Sequence, residues 1–316
     1  MTAVAPSPAP SSASPFRIGS RGSPLALAQA NLAAAALRAA HGWSEDLIRI
    51  VTVTTSGDRI QDRALAEIGG KALWTKELDR ALLTGKIDCA VHSMKDVETI
   101  RPESIRIAAM LPRAAVEDRL IGAPSIAALP HGAVIGTSSP RRAAQLKALR
   151  PDLATTLLRG NVARRLAAVE TGEIAATLLA AAGLDRLGMA GTGATIPAET
   201  MLPAVSQGAV GIECRADDTA TAALLAAINH RATDRCVRAE RALLLALGGT
   251  CHSPIAALAR EQGADIHLRA QILNEDGSEQ HSDEALLPGG ATAGAAALGE
   301  RLLGRASPTL RALFTT

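Results

Sequence analysis

Aromatic side chains are nearly absent: in 316 residues there are two Phe, two Trp and no Tyr. A nucleic-acid surface built from stacked aromatic platforms is therefore not expected. Cysteine is sparse too. Cys89, Cys214, Cys236 and Cys251 lie far apart, none forms a CxxC pair, and no His stands at finger-like spacing from them. That pattern argues against structural zinc and for a reducing compartment. A net charge of +2 implies no polyanionic partner, and no helix-turn-helix pattern is present. Long apolar runs are missing: the Ala-rich stretches carry Arg or helical periodicity and are too short to span a bilayer. The N-terminus has neither the basic n-region nor the apolar h-region of a secretory signal. These absences predict a soluble cytoplasmic protein with no metal, no nucleic-acid partner and no membrane partner. Lys supplies only five of the 33 basic residues. Arg is the better bidentate partner for carboxylate and phosphate, although Arg-rich codon usage accounts for most of such a bias.

What is present is apolar bulk. Hydrophobic residues make up 47% of the chain, and the length predicts two or three domains. Residues 1–15, rich in Ala, Pro and Ser, read as a disordered tail. Strand–turn–helix units follow. Phe16–Gly19 reads as a strand. Ser23-Pro24 gives an N-cap followed by Pro at the first helical position, and that helix runs to about His41-Gly42. Leu47–Thr54 is a second strand. Gly69-Gly70-Lys71 precedes a helix with Trp74, Leu78, Ala81 and Leu82 on one face, and the strand Ile87–Val91 comes next. A similar set starts at Ala133, and the stretch Pro203–Gly211 reads as a return to the first domain. A third segment begins near His230, with a helix over Asp234–Leu247 and a strand over Ile266–Leu273. No period suggests a repeat protein.

The segment Val91-His92-Ser93-Met94-Lys95-Asp96-Val97 is the most informative. It reads as a loop at the carboxyl end of a buried strand, where ligands bind in open α/β sheets. An Asp there can handle protons or stabilise a cation, and a Lys can hold an anion. His92 suits a general base or a hydrogen-bonding support equally. Arg21, Arg141, Arg142, Arg159 and Arg186 all fall in turns after expected strands. Arg141 and Arg142 sit in the first turn of a helix, where cations oppose the dipole at roughly 0.3–1 kcal/mol each. Keeping two there points to an anion, rather than to solvated surface charge. Lys71 after Gly69-Gly70 lacks phosphate-loop spacing, and Ser20-Arg21-Gly22-Ser23 is no dinucleotide fingerprint. Cys251, on a Gly-preceded, Pro-followed loop beside His252, is either an inert loop Cys or a covalent attachment point. Cys89, Cys214 and Cys236 read as core.

Together the ordered segments Arg17–Leu27, Gly69–Leu78, Ala90–Val97, Gly136–Arg142, Leu158–Val162, Leu178–Gly188, Leu202–Arg215 and the Cys251 loop resemble the porphobilinogen deaminase family. The likeness covers about Phe16 to Ala257. It implies an enzyme that deaminates porphobilinogen and joins four units head to tail into hydroxymethylbilane, primed by a dipyrromethane cofactor thioether-linked to Cys251. It implies Asp96 as the catalytic carboxylate. Substrate and cofactor carboxylates fall to Arg21, Ser23, Lys71, Ser93, Lys95, Thr137, Ser139, Arg141, Arg142, Arg159, Asn161, Arg165 and Arg186, with Gln29, Trp74, His92 and Gln207 as further lining. The implied fold is α/β in three domains, the first two doubly wound and resembling type II periplasmic binding proteins, with the active site in the cleft between them. The third is a small α+β domain. The expected boundaries are 16–111 with 210–226, then 112–209, then 227–316. The protein is expected to be a monomer. A small-anion binding module of periplasmic-receptor type is the alternative from another class. Pro140, Trp74, Glu67 and Ser206 depart from the family pattern; at Ser206 the usual residue is Gly.

Overall fold

The computed structural model describes residues 10–55, 75–250 and 253–314. Of the residues singled out above, Glu67, Lys71, Trp74, Cys251 and His252 lie outside them. The chain divides into two compact units.

The described part of the first unit comprises residues 10–55, 75–113 and 209–234. Its strands are β1 (Phe16–Ser20), β2 (Ile48–Thr52), β3 (Cys89–Ser93), β4 (Ile105–Met110) and β10 (Val210–Arg215), in the order β2-β1-β3-β10-β4. β1 runs parallel to β2 and β3, whereas β10 is antiparallel to β3 and β4. Helix α1 (Pro24–His41) forms where the sequence predicts it. Ser23 Oγ accepts the Ala26 N–H at 3.3 Å, Pro24 needs no N–H partner, and Gly42 ends the helix at φ 67. Its buried face, Ala30, Ala33, Ala34 and Leu37, packs on Phe16, Ile18, Val91 and Ile212. Helix α2 (Lys76–Leu83) covers the other face of the sheet, with Leu78, Ala81 and Leu82 against Ile87 and Ala90. Both faces are thus dry, as a largely parallel sheet requires.

The second unit repeats that layout. Its strands β5 (Asp118–Ile121), β6 (Val134–Gly136), β7 (Ala154–Thr156), β8 (Ala176–Ala180) and β9 (Ala194–Ile196) lie in the order β7-β6-β8-β5-β9. β6 is parallel to β7 and β8, while β5 is antiparallel to β8 and β9. Helices α3 (Pro140–Leu149), α4 (Val162–Glu170) and α5 (Ala181–Arg186) flank the sheet. Leu146 joins Leu120, Ile135 and Leu178 on one side; Val162, Leu166 and Leu184 meet Ile121 and Leu179 on the other. In both sheets the fourth strand is the antiparallel one between two neighbours, and it is contributed by a segment adjoining the unit boundary.

Helix α6 (Thr219–Ala226) belongs to the first unit and α7 (Arg231–Ala246) mostly to the second. The second unit also holds a small antiparallel sheet of β11 (Ile255–Gln262), β12 (Asp265–Leu273) and β13 (Gln280–Leu287). Leu243 of α7 and Leu247 just after it, together with Leu298 and Leu302 of α8 (Thr292–Arg305), cover its Ile266, Leu268 and Ile272. A last short helix, α9 (Pro308–Ala312), adds Leu310 to that core. The fold is therefore α/β, with two doubly wound sheets and a small third sheet backed by helices. Among the described residues no helix is long and apolar enough to cross a membrane.

Candidate active site

In the first unit the expected site residues gather beyond the carboxyl ends of β1 and β3, which are neighbours in the sheet. Arg21 follows β1 directly and is half-buried. Ser23 is the N-cap of α1. Nearly two turns later Gln29, 3% exposed, donates from Nε2 to Ser93 Oγ at 2.7 Å and so ties the helix to the end of β3. Lys95 and Asp96, both half-buried, share one 3-10 turn, Met94–Asp96, anchored by the buried Met94.

The segment read as a loop from Val91 is extended farther than expected. β3 continues through His92 and Ser93, because both find partners from the sheet and its helices. Alternation along the strand sends Ser93 toward α1 and His92 toward α2. His92 is 6% exposed and its Nε2 lies 3.2 Å from Glu213 Oε2 on β10. Glu213 in turn accepts both Nε and Nη2 of Arg101, at 2.8 and 2.9 Å. Burial by itself raises the Glu213 carboxyl, but His92 and Arg101 outweigh it and hold the group at about 2.

In the second unit the expected residues line the carboxyl ends of β6, β7 and β8. Thr137 follows β6 and its N–H donates to Thr156 O at 2.9 Å. Ser139 caps α3, accepting the Arg142 N–H. Asn161 caps α4, accepting the Arg164 N–H at 3.0 Å. Arg165 donates to Gly160 O and to Ser138 Oγ, each at 3.1 Å, which ties the turn after β7 to the turn after β6. Arg159 is half-buried in that turn. Arg186, the last residue of α5, donates to Gly208 O at 2.7 Å, and burial lowers its pKa.

Arg141 and Arg142 are buried, at 3% and 7% exposure, which disposes of the solvated-surface reading. Both grip Asp118 at the start of β5. Arg141 Nη2 donates to Oδ2 at 2.8 Å; Arg142 donates from Nε to Oδ2 and from Nη2 to Oδ1 at 3.1 and 2.7 Å. Gln207, fully buried, adds Nε2 to Asp118 Oδ1 at 2.8 Å. Burial pushes the Asp118 carboxyl up, but the two guanidinium groups carry it well below the usual carboxylate range. The chain itself thus supplies one anion for a pair of cations at a helix start. Two guanidinium groups against one carboxylate leave a positive balance, and Arg141 Nε is buried with no hydrogen-bond partner.

Sequence reasoning passed over Asp118, Glu213 and Arg101. The available signal was a charged residue inside an apolar strand, Ile212-Glu213-Cys214, and an acid opening the strand Asp118–Ile121. Cys89, Cys214 and Cys236 are free and buried, on β3, β10 and α7. Among the described residues no group of His, Cys, Asp and Glu is suited to a metal ion.

The sequence model described as "Porphobilinogen deaminase, dipyromethane cofactor binding domain" matches residues 16–223. The companion "Porphobilinogen deaminase, C-terminal domain" matches 235–306. The chain belongs to the porphobilinogen deaminase family. A relative named porphobilinogen deaminase from Sphingopyxis alaskensis is 59% identical over 308 residues, 96% of this chain and 97% of its own length. Another of that name, from Paracoccus denitrificans, is 53% identical over 304 residues, 94% of this chain and 96% of its own. Among solved structures, a periplasmic substrate-binding protein of an ABC transporter from Coxiella burnetii overlaps 69% of this chain and 93% of its own, at 15% identity and a TM-score of 0.43. The strand orders, not that overlap, establish the fold class. A dipyrromethane cofactor bears carboxylates. The positive balance around Asp118 and the orphaned Arg141 Nε fit such a group.

Proposed function

We propose that Asp96 carries the chemistry and that the Arg side chains at the strand ends hold the carboxylates of substrate and cofactor. The activity follows from family membership. The chain is a transferase of tetrapyrrole biosynthesis that deaminates porphobilinogen and joins four units head to tail into hydroxymethylbilane. A small-anion binding module is not favoured, because the family matches span nearly the whole chain.

The observation that carries the residue assignment is the single turn Met94–Asp96, with Asp96 beside Lys95 just past the carboxyl end of β3. Loss of ammonia from the substrate leaves an electron-poor, azafulvene-like cation. A preorganised carboxylate near the pyrrole nitrogen stabilises that cation and moves its proton. Each pyrrole brings an acetate and a propionate, so negative charge accumulates as the product grows. Arg21 with Ser23, Ser93 and Lys95 in the first unit supplies donors for it. Thr137, Ser139, Arg159, Asn161, Arg165 and Arg186 supply them in the second, and Arg141 and Arg142 act through the charge that Asp118 does not neutralise. The dipyrromethane, when bound, supplies the pyrrole carbon from which the chain grows. We assign its thioether to Cys251, and further donors to Lys71, from sequence. Gln29, Trp74, His92 and Gln207 support or line the site.

We divide the chain into three domains, 16–111 with 210–226, 112–209 and 227–316, one for each sheet. We read it as a cytoplasmic monomer, in line with three buried free thiols. The test is direct. The purified chain should have an intact mass two pyrrole units above the polypeptide. It should consume porphobilinogen with release of one ammonia per unit and yield a linear tetrapyrrole. Cofactor-loaded protein that leaves porphobilinogen unchanged would overturn the reading.

A further inference from the structure

One buried carboxylate grips the chain on both sides of the turn that carries Lys95 and Asp96. On the near side is His92, whose Nε2 lies 3.2 Å from Glu213 Oε2. On the far side is Arg101, which forks onto both oxygens of Glu213 at 2.8 and 2.9 Å. Glu213 is completely buried in β10 and lies opposite Ala90 of β3. Its place is therefore fixed by the sheet rather than by the turn.

The other groups around this centre close it. Arg101 Nη2 also donates to Asp79 of α2 at 2.6 Å, and Nη1 to Glu98 at 2.7 Å. Thr75 Oγ1 donates to Glu98 at 2.9 Å. The segment after Asp96 is thus bound to α2 as well as to β10. Asp79, Glu98, Arg101, Glu213 and His92 are the charged and titratable groups that face one another here. Burying such a cluster is costly, and an apolar filling is often as stable. What an ion cluster adds over apolar packing is a fixed geometry. Here the geometry fixed is that of the segment bearing the proposed acid–base group.

We infer that Glu213 is a positioning residue for the reaction: through His92 and Arg101 it clamps both ends of the turn and so holds Asp96 in register with the substrate. This rests on Asp96 being the catalytic carboxylate. Displacing a reacting group by about 1 Å costs on the order of 10²-fold in rate. Glu213→Gln keeps the shape of the side chain but weakens both clamps.

The experiment is a double-mutant cycle on the cofactor-loaded enzyme, with cofactor content checked by intact mass and folding by thermal melt. Glu213→Gln should lower kcat by about 10²-fold while KM stays near the parent value. In an Asp96→Glu background the same change should cost far less, because the carboxylate is already out of register. Arg101→Lys, which keeps the charge but loses the fork, should fall between parent and Glu213→Gln. It also keeps the test open if Glu213→Gln does not fold. Parent kcat in folded, loaded Glu213→Gln or Arg101→Lys would overturn the inference. So would an equal loss in both backgrounds, which marks a purely structural role. Should Asp96→Ala itself turn over at the parent rate, the Asp96 assignment falls and the inference with it. An inactive Asp96→Ala beside a fully active Glu213→Gln would remove the positioning role alone.

Discussion

Arg142 and Asp118 meet fork to fork, Nε to Oδ2 at 3.1 Å and Nη2 to Oδ1 at 2.7 Å, in a region where Asp118 is 1% exposed. The pair joins the start of α3 to the start of β5. Arg141 shares the same carboxylate. Removing the anion would leave two guanidinium groups buried together.

Asp118→Asn should therefore destabilise the fold by about 3–5 kcal/mol, read as a lower denaturation midpoint. The pH dependence has a definite sign. Asp118 and Glu213 both have folded pKa values depressed below the ordinary carboxylate range, Glu213 at about 2. Their contribution is complete above about pH 4–5, where the unfolded carboxyls are also ionised. It is lost as pH falls below that range. The parent should lose stability from pH 5 toward pH 3, and Asp118→Asn should lose less over the same interval. An equal acid response in parent and variant would contradict the coupling.

Arg142→Lys keeps the charge and loses the two-point geometry, whereas Arg142→Leu loses both. Stability and cofactor content should fall together, Leu more than Lys. Cofactor content comes from intact mass and stability from chemical denaturation. Parent stability and full loading in Arg142→Leu would remove Arg142 from both roles.

Asp96→Ala should abolish detectable turnover, with a loss of at least 10²–10³-fold, and leave the melting temperature nearly unchanged, because the side chain is half-buried. Asp96→Glu keeps the charge but moves it by a methylene, so a small activity should remain. Steady-state consumption of porphobilinogen measures both. Asp96→Ala at the parent rate would sink the assignment.

Local signals proved legible and sheet order did not. Ser23, Pro24 and Gly42 mark the ends of α1 because capping acts over a few residues. Leu78, Ala81 and Leu82 mark the buried face of α2 for the same reason of period. The end of β3 is not marked in the sequence, since a polar His92-Ser93 pair looks like a loop until its partners Glu213 and Gln29 are known. Those partners come from β10 and α1, and nothing near His92 in the chain announces them. The placing of β5 and β10 as antiparallel fourth strands was equally hidden. So Arg141 and Arg142 call for an anion from their helix position alone, whereas Asp118 becomes their partner only through the placing of β5.

Cys251 should be the residue that carries the cofactor. The three described cysteines are buried, and burial raises the thiols of Cys89 and Cys214 above their ordinary values, which makes them poor nucleophiles. Peptide mapping should find the dipyrrole on Cys251, and Cys89→Ala, Cys214→Ala or Cys236→Ala should load normally at a modest packing cost. A dipyrrole on another cysteine, or an active enzyme with Cys251 unmodified, would overturn the assignment.

Ser206 occupies a backbone conformation that glycine adopts more readily. Its φ is 63, and among the described residues no other non-glycine has a positive φ. The chain is held there from outside: the Ser206 N–H donates to Glu240 Oε2 at 2.6 Å, and Glu240 Oε1 accepts the Ala259 N–H at 2.8 Å. The Ser206 hydroxyl is buried without a hydrogen-bond partner. Left-handed backbone costs a residue with a Cβ about 1–2 kcal/mol, and an unmet buried hydroxyl about 1–3 kcal/mol. Ser206→Gly removes both, against about 0.5–1 kcal/mol of added chain entropy in the unfolded state. The net expectation is a gain of about 1 kcal/mol or more in unfolding free energy. Ser206→Ala separates the two causes, since it removes the hydroxyl and keeps the Cβ. The expected order of melting temperatures is Gly, then Ala, then the parent Ser. If Gly and Ala melt together, backbone strain contributes little. If neither exceeds the parent, the hydroxyl is satisfied in solution and the residue is under no strain.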